Sequence, residues 1–449
     1  MKNTERAALR RGKMNNAFDP SNINNLDVRT QELLKRRVKV LGPAYRLFYK
    51  NPVEFCRAEG VYMYDKQGNE YLDAYNNVVS VGHCRPEINK AINHQMEVLC
   101  THTRYLQNGI LDFAEKLVAT FEKEIEHVMF TCTGSEANDL AVRIAKHHTK
   151  NQGIIITSEA YHGNSELTSS FSPSMGENCP LGKWVRRIPA PDTYRLQNKN
   201  LGLWMAQKVS EQIEDLQKCG QGIAALLVDS LFTSDGIFAH SSDILGPVVQ
   251  VVREAGGVFI ADEVQSGLSR SGSNMWGYQR HNVIPDLVTM GKPLGNGYPV
   301  AAVAMRPNVV ADFGHEMRYF NTFGGNSVAI AAANATLEVL QKENLGQNAE
   351  IVGQILLSGL HEIAKADERI GDIRGTGLYI GVEIVKHKKN KSPDRNLALA
   401  LVNEMRNRRV LISATAFNGN VLKVRPPLIF KPKDADRFLT QLRASLKNL

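Results

Sequence analysis

No run of apolar residues in this 449-residue chain approaches the ~18 needed to cross a bilayer, which argues against a helical membrane span. Cysteine is scarce: Cys56, Cys84, Cys100, Cys132, Cys179 and Cys219 are scattered and form no CxxC pair. That spacing argues against a zinc ribbon or a disulfide framework and fits a reducing compartment. Internal repeats and low-complexity segments are absent. The opening MKNTERAALRRGKMNN lacks the apolar core of a signal peptide, and acidic Glu5 weakens a transit-peptide reading, so a cytoplasmic location is expected. Composition, 43% hydrophobic and 22% charged, is ordinary for a globular enzyme with core enough for two or three domains. The formal charge is +8, but its densest runs, Arg10-Arg11, Lys35-Arg36-Arg37 and KHKKNK from Lys386, have no interleaved aromatics. Neither nucleic acid nor membrane is therefore expected as a partner, and an anionic small molecule makes better use of the excess charge.

Residues 1–27 are polar and Asn-rich and read as a mobile tail. From Arg46 the pattern alternates, with turns at Asn51-Pro52 and 66–69, as in an antiparallel hairpin unit. Across 85–330 the rhythm becomes helix, strand, helix. The short apolar runs 127–132, 153–157, 223–228, 257–261, 287–290 and 300–305 suit strands of a mainly parallel sheet buried on both faces. In such α/β folds ligands bind at the carboxyl ends of the strands. Residues 331–449 read as α+β and, with 28–84, as a smaller domain built from both termini.

Four loops, each following one of these runs, carry candidate chemistry. Gly134-Ser135 stands where a strand gives way to a helix, either an anion site or a plain capped helix start. Tyr161-His162-Gly163 offers an aromatic face at a strand end, suited to a flat heterocycle or simply to the surface. Asp262-Glu263 ends an apolar strand, so a carboxylate held near the interior needs a partner cation or a metal, and no histidine nearby in sequence completes a metal set. Gln265 adds a donor three residues after Asp262. Lys292 follows the strand 287–290 and precedes a turn rich in Gly and Pro; a buried lysine there is a nucleophile able to form a Schiff base. Together the four loops match what pyridoxal phosphate requires: a phosphate cradle, an aromatic stack, an acid opposite the ring nitrogen and a lysine for the aldehyde.

FIADEVQSGLSRSG, PDLVTMGKPLGNGYPVAAV, TGSEAND and NTFGGN resemble the class III, fold-type I aminotransferase family over nearly the whole chain from about residue 30. The resemblance implies an α/β enzyme with a seven-stranded, mainly parallel sheet in its large domain. It implies pyridoxal 5'-phosphate as cofactor, with Lys292 as Schiff-base lysine and Asp262 facing the pyridinium nitrogen. Gln265 would bond the ring hydroxyl, Tyr161 would stack, Gly134 and Ser135 would hold the phosphate, and His162 and Asp229 would line the cofactor. Thr322 would reach the phosphate of a neighbouring subunit's cofactor, implying a homodimer with shared sites.

NNVVSVGHCRP, THTRYL, APDTYR, IGDIRGTGLYIGVEIV and VLKVRPPLIF are similar to the ethanolamine-phosphate phospho-lyase branch. Many transaminases of the class carry an arginine four residues before the second proline of the Pro-Pro pair; here that residue is Lys423. A substrate without an α-carboxylate needs no arginine fork, and a lysine simply facing solvent is the alternative. The expected reaction is elimination from a 2-aminoethyl phosphorus compound, either O-phosphoethanolamine or 1-hydroxy-2-aminoethylphosphonate, with an ω-aminotransferase as the alternative. Lys423, Arg425, Arg104, Tyr45 and Asn77 are the candidates to bind substrate. Asp229, Ser327 and Arg85 depart from the glutamate, proline and histidine common in the family.

Overall fold

Three sheets organise the chain in the computed structural model, which describes residues 14–197, 200–239 and 242–449. The first begins as an antiparallel meander, β1 (Phe55–Glu59), β2 (Tyr62–Asp65) and β3 (Glu70–Asp73). The central sheet holds β4 (His127–Thr131), β5 (Gly153–Thr157), β6 (Val185–Ile188), β7 (Ile223–Asp229), β8 (Val258–Asp262), β9 (Leu287–Met290) and β10 (Ala301–Met305). Its spatial order is β4-β10-β9-β8-β7-β5-β6. Only β10 is reversed, running antiparallel to both β4 and β9. The third sheet is built from β11 (Ile370–Thr376), β12 (Tyr379–Ile384), β14 (Ser413–Thr415) and β15 (Val421–Val424). Between its strands, β13 (Val410–Leu411) leaves to pair in parallel with β3, so chain from near both termini shares one sheet.

Six central strands coincide with the apolar runs of the sequence, because neighbouring residues pack on opposite faces. Ile155, Leu226 and Val228 enter one hydrophobic core, whereas Ile154, Ile156 and Leu227 enter another. Helix Gly134–Thr149 covers the second face with Leu140, Ala141, Ile144 and Ala145, and helices Leu201–Lys218 and Leu245–Glu254 cover the first. The seventh strand, β6, reads VRRI and escapes the pattern because it is an edge that pairs only with β5. Its Arg186 turns back on Asp215 at 2.5 Å and on the carbonyl of Lys183 at 2.9 Å.

The expected tail divides. Residues 1–13 lie outside the described residues, while 14–27 carry the 3₁₀ turn Pro20–Asn25 and side-chain ties to the third sheet. Ser413 Oγ donates to buried Asn16 at 3.0 Å, and Arg395 donates to Asn15 at 2.8 Å. Short polar side chains that read as disorder thus serve as hydrogen-bonding anchors.

A buried charge fastens the third sheet to the central one. Arg374 donates to Glu383 at 2.7 Å and to the carbonyl oxygens of Gly236 and Ile237, beyond the end of β7. Burial raises the Glu383 carboxyl, but Arg374 and Arg195 outweigh it and hold the group below its ordinary value. We predict that Glu383→Leu, which leaves buried Arg374 only Asp372, at 2.9 Å, as an ion partner, lowers the unfolding free energy by about 1–3 kcal/mol. In thermal melts the wild-type advantage over Glu383→Leu should be full above pH 4.5 and fade as pH falls further, because the depressed carboxyl must then take up its proton.

Candidate functional site

The six strands that share one direction end along one edge of the central sheet, and the predicted loops gather there. A cavity of about 200 Å³ is lined by Gly134, Ser135, Asn138, Tyr161, His162, Gly163, Asp229, Asp262, Val264, Gln265 and Lys292. Asp229, Asp262 and Thr289 are register partners on β7, β8 and β9, so they stand side by side at that edge.

The helix that follows β4 is capped by Thr133, whose side chain accepts from Glu136 N–H while Glu136 accepts from the Thr133 N–H. This capping box spares Ser135, whose Oγ exchanges hydrogen bonds with Asn164 at 3.0 and 3.1 Å. Glycine is required around it. A Cβ on Gly163 (φ +143°) would lie 2.7 Å from Ser135 Oγ, and one on Gly134 would lie 2.9 Å from Val264. The first helical turn therefore faces the cavity with its N–H groups and without side-chain bulk, the chemistry of an anion cradle.

Strand alternation separates the two acids that end β8. Glu263 turns away, accepts from Ser230 Oγ and from the N–H groups of Gly277 and Tyr278, and is pushed up to about 7 by burial. Asp262 faces the cavity at 4% exposure. Its Oδ2 accepts from His162 Nδ1 at 2.7 Å and Asn138 Nδ2 at 2.9 Å, and its Oδ1 accepts from Val264 N–H at 3.0 Å. Burial alone would raise this carboxyl, but His162, Lys292 and Asn138 outweigh it and keep it below its ordinary value. Folding thus supplies the histidine that sequence distance concealed. Among the described residues no group of three His, Cys, Asp or Glu side chains is placed to hold a metal ion.

Lys292 opens a 3₁₀ turn, Lys292–Gly295, with φ +36°, a conformation costing a non-glycine residue about 1–3 kcal/mol. Asn296 pins the turn by accepting from Val81 N–H at 3.0 Å and donating to the Gly82 carbonyl at 2.9 Å. Burial lowers the lysine to about 8, with Arg425 adding to the effect and Asp262 and Asp229 opposing it. Asp229 accepts from Leu231 and Thr233 N–H at 3.0 and 3.1 Å, and burial holds its carboxyl above the ordinary value.

Two further cations stand beside these groups. Arg425, 6% exposed, donates to Gln265 Oε1 and lies over the Tyr75 ring at 4.6 Å. Half-buried Lys423 is pushed well below its ordinary value by burial and by repulsion from Arg425 and Lys292. Asn77, buried on the 74–80 loop against which Arg425 packs, has an unpartnered Nδ2, and Arg425 has an unpartnered Nε. Lys423, Arg425 and Asn77 are not among the residues that line the cavity, and three further predicted residues lie on the surface. Tyr45 and Thr322 are exposed, and exposed Arg104 lies over the Phe320 ring at 3.7 Å. Asn138 is the residue that sequence reasoning missed; its signal was position, one helical turn after Gly134 and on the face turned toward the sheet.

The departures from the family pattern have local explanations. Ser327, where a proline could donate nothing, gives its N–H to the Thr101 carbonyl at 3.3 Å and its hydroxyl to that of Leu99 at 2.6 Å. Arg85 pairs with Glu87 at 2.8 Å and with Glu343.

Comparisons with known proteins give the family. The family model described as "Aminotransferase class-III" matches residues 48–446. The chain is 39% identical to the Drosophila melanogaster protein named alanine–glyoxylate aminotransferase 2-like, covering 92% of this chain and 87% of that one. It is 36% identical to the Caenorhabditis elegans ethanolamine-phosphate phospho-lyase homolog 1, covering 94% and 95%. A phospholyase from Arthrobacter, solved in complex with phosphoethanolamine, superposes with a TM-score of 0.90 at 40% identity, covering 93% of this chain and all of that one. Because Lys292 and Lys423 are both displaced below an ordinary lysine, an amine-directed acylating reagent should modify them ahead of the surface lysines. For Lys292, mass-spectrometric labelling should rise with pH around a midpoint near 8.

Proposed function

Because the chain belongs to the class III aminotransferase family, whose members depend on pyridoxal phosphate, we propose that its cavity carries out an elimination from a 2-aminoethyl phosphorus compound. The residues present fit the cofactor. The N–H groups at Gly134 and Ser135 would take its phosphate, the Tyr161 ring would lie on its heterocycle, Asp262 would face its ring nitrogen, and Gln265 and His162 would line it. When bound, pyridoxal phosphate supplies an aldehyde that captures amines and a ring that accepts electron density.

Lys292 would hold the cofactor's aldehyde and, once free, would serve as the base that takes a proton from the amine-bearing carbon of the substrate. Its low proton affinity, about 8, leaves a useful fraction neutral near neutrality. Asp262, kept anionic by its three donors, would hold a proton on the ring nitrogen. Lys423, Arg425 and Asn77 would receive the phosphorus group, and the leaving group would depart from the neighbouring carbon. From O-phosphoethanolamine and water the products are acetaldehyde, ammonia and phosphate; the hydroxylated phosphonate would give phosphonoacetaldehyde and ammonia.

The observation that carries this reading is the trio beyond Lys292. Lys423 has no hydrogen bond or ion pair among the described residues, and the donors Arg425 Nε and Asn77 Nδ2 are buried and unpartnered. Such donors are costly unless an anion meets them. A lysine there, rather than an arginine fork, fits a substrate without an α-carboxylate and can serve a phosphoryl group as a point charge. The names of the Caenorhabditis and Arthrobacter proteins support the same choice. An ω-aminotransferase is the second reading, favoured by the name of the Drosophila relative.

The proposed assembly is a homodimer with shared sites. Exposed Tyr105, Leu106 and Phe323 share a surface with Arg104 and Thr322, which would serve the opposite cavity. Analytical ultracentrifugation should show a dimer that Leu106→Asp weakens together with turnover. A fully active monomer removes this part of the proposal.

The decisive assay mixes cofactor-loaded enzyme with O-phosphoethanolamine, or with the hydroxyphosphonate, and no oxo acid. Sustained ammonia release is expected; turnover only after addition of pyruvate or 2-oxoglutarate would replace the lyase with the transaminase. Lys292→Ala should abolish both turnover and the visible absorption of the bound cofactor. Lys423→Ala should raise KM for O-phosphoethanolamine about tenfold or more while leaving cofactor binding intact. Because Lys423 must be protonated to hold the anion, wild-type KM should climb with pH well below the range of an ordinary lysine.

A further inference from the structure

We infer that Asn138 is a positioning residue that sets the orientation of the Asp262 carboxylate and, through it, the retention of the cofactor. The inference rests on the reading that Asp262 faces the cofactor's ring nitrogen. Asn138 is 1% exposed, and its amide uses both N–H groups and accepts once at its oxygen. Its Oδ1 accepts from Thr289 Oγ1 at 2.6 Å. Its Nδ2 donates to Asp262 Oδ2 at 2.9 Å and to the His162 carbonyl at 2.8 Å.

This pattern admits one orientation. A flipped amide would turn its oxygen toward a carboxylate and a carbonyl, which can only accept. The carboxylate and the carbonyl therefore fix which way the amide faces, and the Thr289 hydroxyl, on the strand that delivers Lys292 and in register with Asp262, anchors the amide oxygen in that orientation. Oδ2 of Asp262 is then held by two donors, Asn138 and His162, while Oδ1 keeps only the Val264 N–H. A carboxylate so held cannot rotate without breaking a buried charge-assisted hydrogen bond. Asn138 also bonds the backbone of His162, so one amide places both Asp262 and its other side-chain donor. Neither Asp, which lacks the N–H groups, nor Gln, which is a methylene longer, can take this role.

The test uses protein reconstituted with pyridoxal phosphate and freed of excess by gel filtration. The rate of cofactor release and the pH titration of the visible absorption band are read in parallel with thermal melts of the apo-protein. Asn138→Ala should release cofactor about ten- to a hundredfold faster and displace the titration midpoint. Asn138→Asp, which sets a second carboxylate against Oδ2, should do so more strongly. Thr289→Val preserves side-chain shape but removes the hydroxyl that orients the amide, and should accelerate release about threefold or more. If Asn138→Ala fails to fold, Thr289→Val decides: wild-type release and titration in that variant overturn the inference. So does an Asn138→Ala protein that melts lower yet keeps the wild-type release rate and titration. A wild-type protein that takes up no pyridoxal phosphate would instead overturn the cofactor reading beneath it.

Discussion

A carboxylate buried at the end of a strand must be met by fixed donors or give up its charge, and the arrangement around Asp262 follows from that constraint. Three elements supply the donors: the helix after β4 through Asn138, the loop after β5 through His162, and the backbone after β8 through Val264. Each of these segments also lines the cavity, so meeting one charge draws the cavity walls together. The neighbouring Glu263 is stabilised in a different way, by Ser230 and by two N–H groups of the 277–281 turn. Two adjacent acids thus acquire opposite proton affinities: burial lifts Glu263 to about 7 despite its donors, whereas His162, Lys292 and Asn138 outweigh burial at Asp262.

Charge also organises the far side of the cavity. Lys292, Lys423 and Arg425 repel one another across a partly dry space, with Asp229 and Asp262 as partial counterweights. Burial, with that repulsion added to it, lowers the two lysines, and Asn77 Nδ2 and Arg425 Nε are buried without partners. The left-handed backbone at Lys292 and the narrow glycine approaches at 134 and 163 are further costs concentrated at the same edge.

Much of this was legible in one dimension. Uninterrupted apolar runs identified the strands buried on two faces, and the residues just after them, Gly134-Ser135, Tyr161-His162, Asp262 and Lys292, were legible because such sheets bind ligands at that edge. The edge strand β6 was not, since solvent on one side lets arginines interrupt the apolar run. Residues 14–27 looked disordered because hydrogen bonds to partners some 400 positions away leave no local pattern. Asn138 was hidden for a related reason: an asparagine on a helix carries no sign of whether it meets water or a buried acid.

The sequence by itself determined the sheet class, the lysine and the acid, because backbone periodicity and residue chemistry are local properties. Tertiary structure alone decided which donors meet Asp262, that Lys423 and Arg425 come near enough to Lys292 to repel one another, and that Tyr45, Arg104 and Thr322 stay exposed. Those are distances between segments tens to hundreds of residues apart, and only the packing of the elements sets them.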